Sequence, residues 1–251
     1  MSRAVCVLGM MRTGTSAVAG ILDLLGVHFG PEERLLQPNV ANPAGFREHK
    51  GIIALNDELL ERLGGTWYQP PTTPPGWQER SDLDDLRARA TALIEVELAP
   101  HEVWAWKDPR TCLTLPFWQA LVPDLSPVIC LRRPAEAAQS LATMGWAAVD
   151  RLDRPYETAL DLWLRYTRDA RDGTRGRARL LVFYDELLAD PGGQSERIAA
   201  FAGLSERLTP AVRQEIEGFI QPVFRQGPDA ADLRSSKHPA SVLYAELEAR
   251  E

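Results

Sequence analysis

The feature that most constrains this chain is a short apolar run that passes through a glycine-bounded turn into an apolar helical pattern. Residues 4–8 (AVCVL) are typical of a buried strand, residues 9–16 (GMMRTGTS) form the turn, and the helical pattern starts after Gly14. This order aims backbone N–H groups and the N-terminus of a helix at one point, which suits a phosphate group. We therefore expect a parallel α/β unit with an anion-binding loop.

The spacing of this turn matches the phosphate loop of ATP- and GTP-binding proteins at every position except one. Thr15 stands where those loops carry a lysine, the residue that reaches the β- and γ-phosphates. The turn is therefore a poor site for a nucleoside triphosphate and still a suitable cradle for one phosphate. Arg12, inside the turn, supplies positive charge from a different angle. Taken alone, the turn is equally compatible with a strand-to-helix connection that binds nothing.

Three further apolar runs, at residues 103–106, 127–131 and 180–183, predict the other strands of a sheet. Helical patterns lie after Gly14, after Phe46, at residues 83–98, after Pro134, at residues 156–170 and at residues 195–202. Because strands alternate with helices, we expect a three-layer α/β/α fold with a mainly parallel central sheet.

The length of 251 residues suits a single large α/β domain, and we expect one domain over residues 1–251. The segment 69–76 (QPPTTPPG) is rich in proline, which interrupts both helices and strands. It predicts a loop inside an insertion at about residues 64–80. A polar tail covers residues 226–251; we expect mobility up to Pro239 and a short helix after it.

The composition argues against several classes of protein. A formal net charge of −7 disfavours a general nucleic-acid binder, which needs a basic surface. No run approaches the roughly 20 apolar residues of a transmembrane helix, and the first residues lack the features of a secretory leader. Cys6 and Cys130 lie in apolar runs, and with Cys112 they show no metal-ligand spacing. We expect reduced thiols, no metal site and a cytoplasmic location.

A second anion site is expected after the strand at residues 127–131. Arg132 follows this strand directly, at the carboxyl end where α/β sheets bind ligands. Pro134 is well placed as the first residue of a helix, and Ser140 lies about two turns into that helix. An arginine with a serine hydroxyl suits a phosphate monoester. We interpret Arg133 as a solvent-exposed residue at the end of the strand.

These two segments together resemble a known family. Residues 132–140 resemble the 3′-phosphate-binding segment of sulfotransferases that use 3′-phosphoadenosine-5′-phosphosulfate (PAPS), and residues 9–16 resemble their 5′-phosphosulfate loop in its bacterial, arginine-containing form. Residues 180–187 (LLVFYDEL) and 42–60 (NPAGFREHKGIIALNDELL) are similar to further family segments. The resemblance covers roughly residues 4–203. In the tail, residues 225–227 (RQG) match the R-K-G signature of the animal enzymes at only two of three positions. The resemblance therefore does not assign Arg225 to the 3′-phosphate.

The resemblance implies a P-loop-type fold and PAPS as the co-substrate. In this interpretation Thr13, Gly14, Thr15 and Ser16, together with Arg12, bind the 5′-phosphosulfate, while Arg132 and Ser140 bind the 3′-phosphate. Lys107 occupies the place of a lysine that binds the transferring group. It follows an apolar run and precedes Asp108 and Pro109, so we expect it at the end of a strand.

Sulfuryl transfer also needs a base for the acceptor and cations around the sulfuryl oxygens. The candidate base is Glu48, which we expect in the first turn of a helix that starts near Arg47. It lies four residues before the apolar residue Ile52 and therefore on the same face of the helix, which we expect to point toward the core. The alternative is an acidic residue that only complements the helix dipole. His49 is the reserve base, and Arg12 and Lys107 are the candidate catalytic cations.

Arg110 and several aromatic residues are the candidates for the acceptor site. Arg110 suits an anionic acceptor or an ion pair with Asp108. Aromatic residues in or near loops suit an acceptor pocket or, more often, the core: Trp67, Tyr68, Trp77 and Trp146.

The sequence therefore predicts a sulfotransferase that moves a sulfuryl group from PAPS to a hydroxyl or amine by in-line displacement. The expected partners are the nucleotide and a small-molecule, lipid or saccharide acceptor, with a homo-oligomer left open. Two alternatives are a P-loop kinase for a small molecule, which would need Mg²⁺ and a lysine at position 15, and a non-catalytic protein that binds adenosine bisphosphates.

Overall fold

The computed structural model describes residues 2–38, 45–144, 153–220 and 238–249. Four strands form one sheet in the order β2-β1-β3-β4, and all three strand pairs are parallel. The strands are β1 (Arg3–Leu8), β2 (Val103–Lys107), β3 (Ser126–Leu131) and β4 (Leu180–Phe183). All four predicted strands are thereby confirmed, three of them with one additional residue at an end.

Ten α-helices surround this sheet in the described residues. They are α1 (Thr15–Leu24), α2 (Lys50–Arg62), α3 (Asp84–Leu93), α4 (Thr111–Leu121), α5 (Pro134–Ala142), α6 (Pro155–Gly173), α7 (Tyr184–Ala189), α8 (Pro191–Ala202), α9 (Pro210–Phe219) and α10 (Pro239–Glu248). A π-helical turn, Ile94–Leu98, continues α3. The six predicted helical regions and the short helix after Pro239 are confirmed, and α7 begins within residues 180–187, the strand-to-helix segment that resembles the family. Helices α4 and α9 were not anticipated.

Alternate side chains of the strands pack into two separate cores, which explains the three layers. In β1, Cys6 and Leu8 belong to the core under α2 to α6 and α10, while Val5 and Val7 belong to the core under α1 and α7 to α9. Strands buried on both faces are typical of parallel sheets covered by helices. The expected three-layer α/β/α architecture is confirmed.

The connection between α2 and α3 contains the proline-rich segment. Residues 69–76 form neither helix nor strand, as predicted, and short 3₁₀ turns follow at Trp77–Glu79 and Ser81–Leu83. In the tail, residues 226–237 and 250–251 lie outside the described residues.

The parallel strands bring four chain segments to one edge of the sheet. Lys107 ends β2, Arg132 follows β3, Tyr184 follows β4, and residues 9–16 follow β1. The register pairs Val7 with Lys107, so the loop after β1 and the end of β2 are neighbours. Ligands of open α/β sheets bind at this carboxyl edge.

No helix within the described ranges is long and apolar enough to cross a membrane. The three cysteines, Cys6, Cys112 and Cys130, are buried and form no disulfide. Burial raises the pKa of each thiol, to about 12 for Cys112, so these side chains stay protonated at neutral pH.

Candidate active site

The loop after β1 is held by its own hydrogen bonds and by the ring of Tyr184. Thr13 Oγ1 donates to the carbonyl of Met10 at 2.7 Å, which fixes the turn before α1 begins. Gly14 caps α1 in a left-handed conformation with φ of 95°, and a Cβ atom there would lie 2.5 Å from Cδ2 of Tyr184. The sequence therefore needs glycine at this position for two reasons, backbone conformation and space.

Replacing Gly14 with alanine is expected to lower the free energy of unfolding by about 1–3 kcal/mol, the cost of strained backbone conformations, and the contact with Tyr184 should add to it. Gly64→Ala is the matched control, since Gly64 has a similar φ of 83° but no atom within 4 Å of the added Cβ. Chemical denaturation of both variants measures the difference. Equal losses would contradict the close packing of Tyr184 against the loop.

Arg12 connects the two predicted anion sites. Its Nε donates to Ser140 Oγ on α5 at 2.9 Å, across 128 positions of sequence. Burial and the neighbouring charge of Arg132 lower the pKa of Arg12. Within the described residues, no carboxylate lies within 4 Å of the Arg12 guanidinium. The charge interaction shows that the guanidinium groups of Arg12 and Arg132 are neighbours. Bound anionic groups would offset the repulsion between them.

Arg132 lies at the end of β3 with 5% of its surface exposed. Its Nε donates to Glu136 Oε2 at 3.3 Å, and its guanidinium carbon lies 5.0 Å from the ring centre of Tyr184. The adjacent Arg133 is different: it is more exposed and forms a 2.7 Å ion pair with Asp185. The prediction of a surface role for Arg133 agrees with this position.

Glu48 and Lys107 form a buried ion pair beside the loop. Lys107 Nζ also donates to Ser16 Oγ at 3.3 Å and lies 5.7 Å from the ring centre of Phe46. Burial raises the pKa of Glu48, with help from the charge of Asp108, although Lys107 acts in the opposite direction. The two side chains come from segments 59 positions apart.

The expected placement of Glu48 in the first turn of a helix is wrong. Helix α2 begins at Lys50, and His49 is its N-cap. Glu48 precedes the cap in an extended segment, where its carbonyl accepts from the N–H of Leu36 at 2.8 Å. The segment turns inward because of this backbone pairing and because of a left-handed conformation at Arg47, with φ of 50°. Helical periodicity is therefore not the cause of the burial of Glu48.

Both ring nitrogens of His49 are occupied. Nδ1 accepts from the N–H of Gly51 at 3.1 Å, and Nε2 lies 3.0 Å from Glu97 Oε2. Burial lowers the pKa of His49, although the Glu97 carboxylate acts against this shift. A neutral ring with its proton on Nε2 satisfies both contacts, which leaves no nitrogen for an acceptor proton.

A family model described as "Sulfotransferase family" matches residues 4–210. This match covers the loop after β1, the Glu48 segment and the segment 132–140, all of which meet at the carboxyl edge. The chain belongs to the sulfotransferase family. A search of curated protein sequences gave no significant match.

Solved structures of sulfotransferases share the fold. Sulfotransferase STF1 from Mycobacterium tuberculosis aligns with a TM-score of 0.57 at 19% identity, covering 98% of this chain and 77% of that one. STF9 from Mycobacterium avium gives 0.56 at 16% identity over 98% and 76%. The sulfotransferase domain of the Synechococcus PCC 7002 olefin synthase gives 0.53 at 16% identity over 99% and 95%. At these identities the likeness concerns the fold alone.

Two residues of this candidate site have no role in the sequence-based prediction. Tyr184 packs against both Gly14 and Arg132; its position directly after a strand was the available signal. Asn56 is fully buried, and its amide donates to Asp108 Oδ2 at 2.8 Å while its carbonyl accepts from Trp118 at 2.8 Å. Asn56 thereby holds the turn that follows Lys107.

Arg110 is paired with two carboxylates, Asp108 at 2.9 Å and Asp57 at 2.6 Å. Its charge is therefore already balanced, which favours the structural interpretation over an anionic acceptor. Of the aromatic residues considered for an acceptor pocket, Trp77 is buried in the core, while Trp67 and Tyr68 pack half-buried against it. Trp146 and Arg225 lie outside the described residues.

Proposed function

We propose that the protein transfers a sulfuryl group from PAPS to a hydroxyl or amine acceptor at the carboxyl edge of its sheet. Family membership supports sulfuryl transfer in general. The observation that carries the proposal is the arrangement of two neighbouring cationic side chains, Arg12, which donates to Ser140, and Arg132, with the buried Glu48–Lys107 pair next to the same loop. A nucleotide with phosphates at both its 3′ and 5′ positions fits such a double site.

The chemistry of the side chains supports this ligand. The Arg12 guanidinium has no carboxylate partner in the described part of the chain, and burial, followed by the charge of Arg132, lowers its pKa. A nucleotide that brings one anionic group to each arginine would stabilise both charges. We assign Arg12, Thr13, Gly14, Thr15 and Ser16 to the 5′-phosphosulfate, and Arg132 with Ser140 to the 3′-phosphate. PAPS, when bound, would supply an activated sulfuryl group: the acceptor oxygen or nitrogen would bond to its sulfur in line as the bond from sulfur to the 5′-phosphate breaks, with adenosine-3′,5′-bisphosphate as the leaving group.

The remaining roles belong to the ion pair. Glu48 accepts the proton of the acceptor, and its raised pKa makes it a stronger base than an exposed carboxylate. Lys107, between Glu48 and Ser16, keeps the carboxylate oriented and places positive charge next to the loop, where it spreads the charge of the sulfuryl oxygens together with Arg12. His49, with both nitrogens occupied, is not assigned as the base.

The contact between Lys107 and Ser16 bears on the kinase alternative. In P-loop kinases, the Ser or Thr that ends the loop binds Mg²⁺, and a lysine precedes it. Here Thr15 precedes Ser16, and the ammonium group of Lys107 donates to the Ser16 hydroxyl. A lysine from β2 thus contacts the oxygen that a kinase would offer to its metal ion, which favours PAPS over ATP with Mg²⁺.

Adenosine-3′,5′-bisphosphate is expected to stabilise the protein strongly. At a hundredfold excess over its dissociation constant, the gain should be about 2.7 kcal/mol. ATP should have little effect, with or without Mg²⁺, because Thr15 replaces the loop lysine. Thermal unfolding with each ligand measures this. Equal shifts with adenosine-5′-monophosphate would remove the argument for a 3′-phosphate site.

A further inference from the structure

The ring of His49 is fixed from several sides. Nδ1 accepts from Gly51, Nε2 contacts Glu97, and a Cβ atom at Gly30 would lie 2.5 Å from the ring carbon Cδ2. Only 1% of the His49 surface is exposed. Because the ring is tightly packed and both of its nitrogens have hydrogen-bond partners, it is held in a single orientation. The residue directly before it in the chain is Glu48.

Glu97 reaches His49 from the π-helical turn Ile94–Leu98. In this turn the N–H of Ala99 donates to the carbonyl of Ile94 at 2.7 Å, a spacing of five residues. Isolated π turns inside helices are frequent at functional sites. Here the turn carries three contacts of Glu97: Oε2 to His49, a two-oxygen ion pair with Arg34 at 3.2 and 3.3 Å, and its carbonyl to His28 Nε2 at 3.1 Å.

We infer that Glu97 is a positioning residue, which acts through His49 to hold Glu48 against Lys107. The inference rests on the proposed function, in which Glu48 is the general base. A base must stay within hydrogen-bond reach of the proton that it takes, and small displacements of such groups are costly. The Glu97–His49 contact fixes the backbone immediately after Glu48, while the bond from Leu36 fixes the Glu48 carbonyl.

The capping role of His49 has to be separated from its anchoring by Glu97. Capping needs only an acceptor for the Gly51 N–H, and asparagine is among the best N-cap residues. His49→Asn can therefore restore the cap without the reach to Glu97. Glu97→Ala removes the anchor and leaves the cap, and Glu97→Gln keeps an oxygen for Nε2–H without the charge. Glu95→Gln is the matched control, because Glu95 is an exposed acid on the same π-helical turn.

The experiment measures the pKa of the Glu48 carboxyl group by ¹³C NMR titration of the full chain, together with melting temperature. In Glu97→Ala and His49→Asn, the pKa of Glu48 should fall toward that of an exposed glutamate, about 4.3, because the carboxylate becomes free to leave its buried position. Glu97→Gln should show a smaller fall, and Glu95→Gln none. His49→Asn should melt above His49→Ala, since it retains the cap.

The same variants are then compared in transfer from radiolabelled PAPS to a pooled library of alcohols, phenols and amines. Turnover should fall about tenfold to a hundredfold in Glu97→Ala and His49→Asn and stay unchanged in Glu95→Gln, with the affinity for adenosine-3′,5′-bisphosphate unchanged in all of them. An unchanged pKa of Glu48 in Glu97→Ala and His49→Asn would overturn the inference and leave Glu97 as a stabiliser of α2 alone. If the wild type transfers no label, the proposed function fails, and the NMR titration still decides whether Glu97 positions Glu48.

Discussion

Replacing Glu48 with glutamine is expected to reduce sulfuryl transfer by about 10²–10⁴, the range for the loss of a general base. Glutamine keeps the size of the side chain and an oxygen for Lys107, but it cannot take the acceptor proton. Affinity for adenosine-3′,5′-bisphosphate should stay within about threefold of the wild type, because Glu48 is not assigned to either phosphate. Turnover and nucleotide affinity, measured on the same preparation, test this. Near-normal transfer would remove Glu48 from the mechanism.

The Glu48–Lys107 pair requires a control for stability. Removing one partner of a buried ion pair costs about 3–5 kcal/mol when nothing replaces it, and the glutamine oxygen should keep the loss below that range. The double variant Glu48→Gln, Lys107→Met removes both charges. It should regain stability without regaining transfer. Recovery of transfer in the double variant would mean that the single variant was inactive because it had partly unfolded.

The raised pKa of Glu48 also sets the pH dependence of the wild type. A general base must be deprotonated, so transfer should decline as the pH falls through the pKa of Glu48. Because burial raises this pKa, the decline should begin above the ordinary value of about 4.3. The residual activity of Glu48→Gln should lack this acidic limb. A pH–rate profile of both proteins gives the comparison.

Arg132→Ala is expected to weaken binding of adenosine-3′,5′-bisphosphate by roughly 10- to 150-fold, the equivalent of about 1.5–3 kcal/mol for hydrogen bonds to a charged group. Binding of adenosine-5′-monophosphate should change little, because this ligand lacks the 3′-phosphate. Isothermal titration with both ligands separates the two effects. The physical reason is the buried position of Arg132 near Arg12, where positive charge is weakly screened.

Arg133→Ala is the matched control for Arg132→Ala. The two arginines are adjacent in sequence and carry the same charge, but Arg133 is paired with Asp185 at the surface. Its replacement should leave binding of both nucleotides nearly unchanged. A loss of affinity for both ligands in Arg132→Ala would indicate that Arg132 supports the fold through Glu136 and Tyr184, and a similar loss in Arg133→Ala would indicate a general field effect.

The parts of the fold that sequence predicts are those set by local patterns. The strands follow from apolar runs, and α5 follows from Pro134 at its first position. Helix α4 was not anticipated; it contains Pro116, a residue that usually interrupts helices, yet it continues through this position and packs in the core under the sheet. Glu48 is buried, as predicted, but helical periodicity was the wrong reason, because His49 caps α2 and the helix begins only at Lys50.

The contacts within the site lie beyond the reach of local patterns. The Arg12–Ser140 bond and the Glu48–Lys107 pair join segments 128 and 59 positions apart, and only the order of the strands brings them together. Sequence identified the residue types and placed Lys107 and Arg132 at the ends of strands. It gave no indication of the Glu97–His49 contact, because a π-helical turn has no recognised sequence pattern, nor of the Asn56 network behind Lys107.

The most direct test of the account is transfer of radiolabelled sulfate from PAPS to a pooled library of alcohols, phenols and amines, without added metal. The wild type should move label from PAPS to at least one acceptor and release adenosine-3′,5′-bisphosphate, and Glu48→Gln should do so about 10²–10⁴ times more slowly. Tight binding of adenosine-3′,5′-bisphosphate with no transfer to any acceptor would contradict the proposed activity and identify a nucleotide-binding protein. Turnover of ATP with Mg²⁺ in its place would identify a kinase.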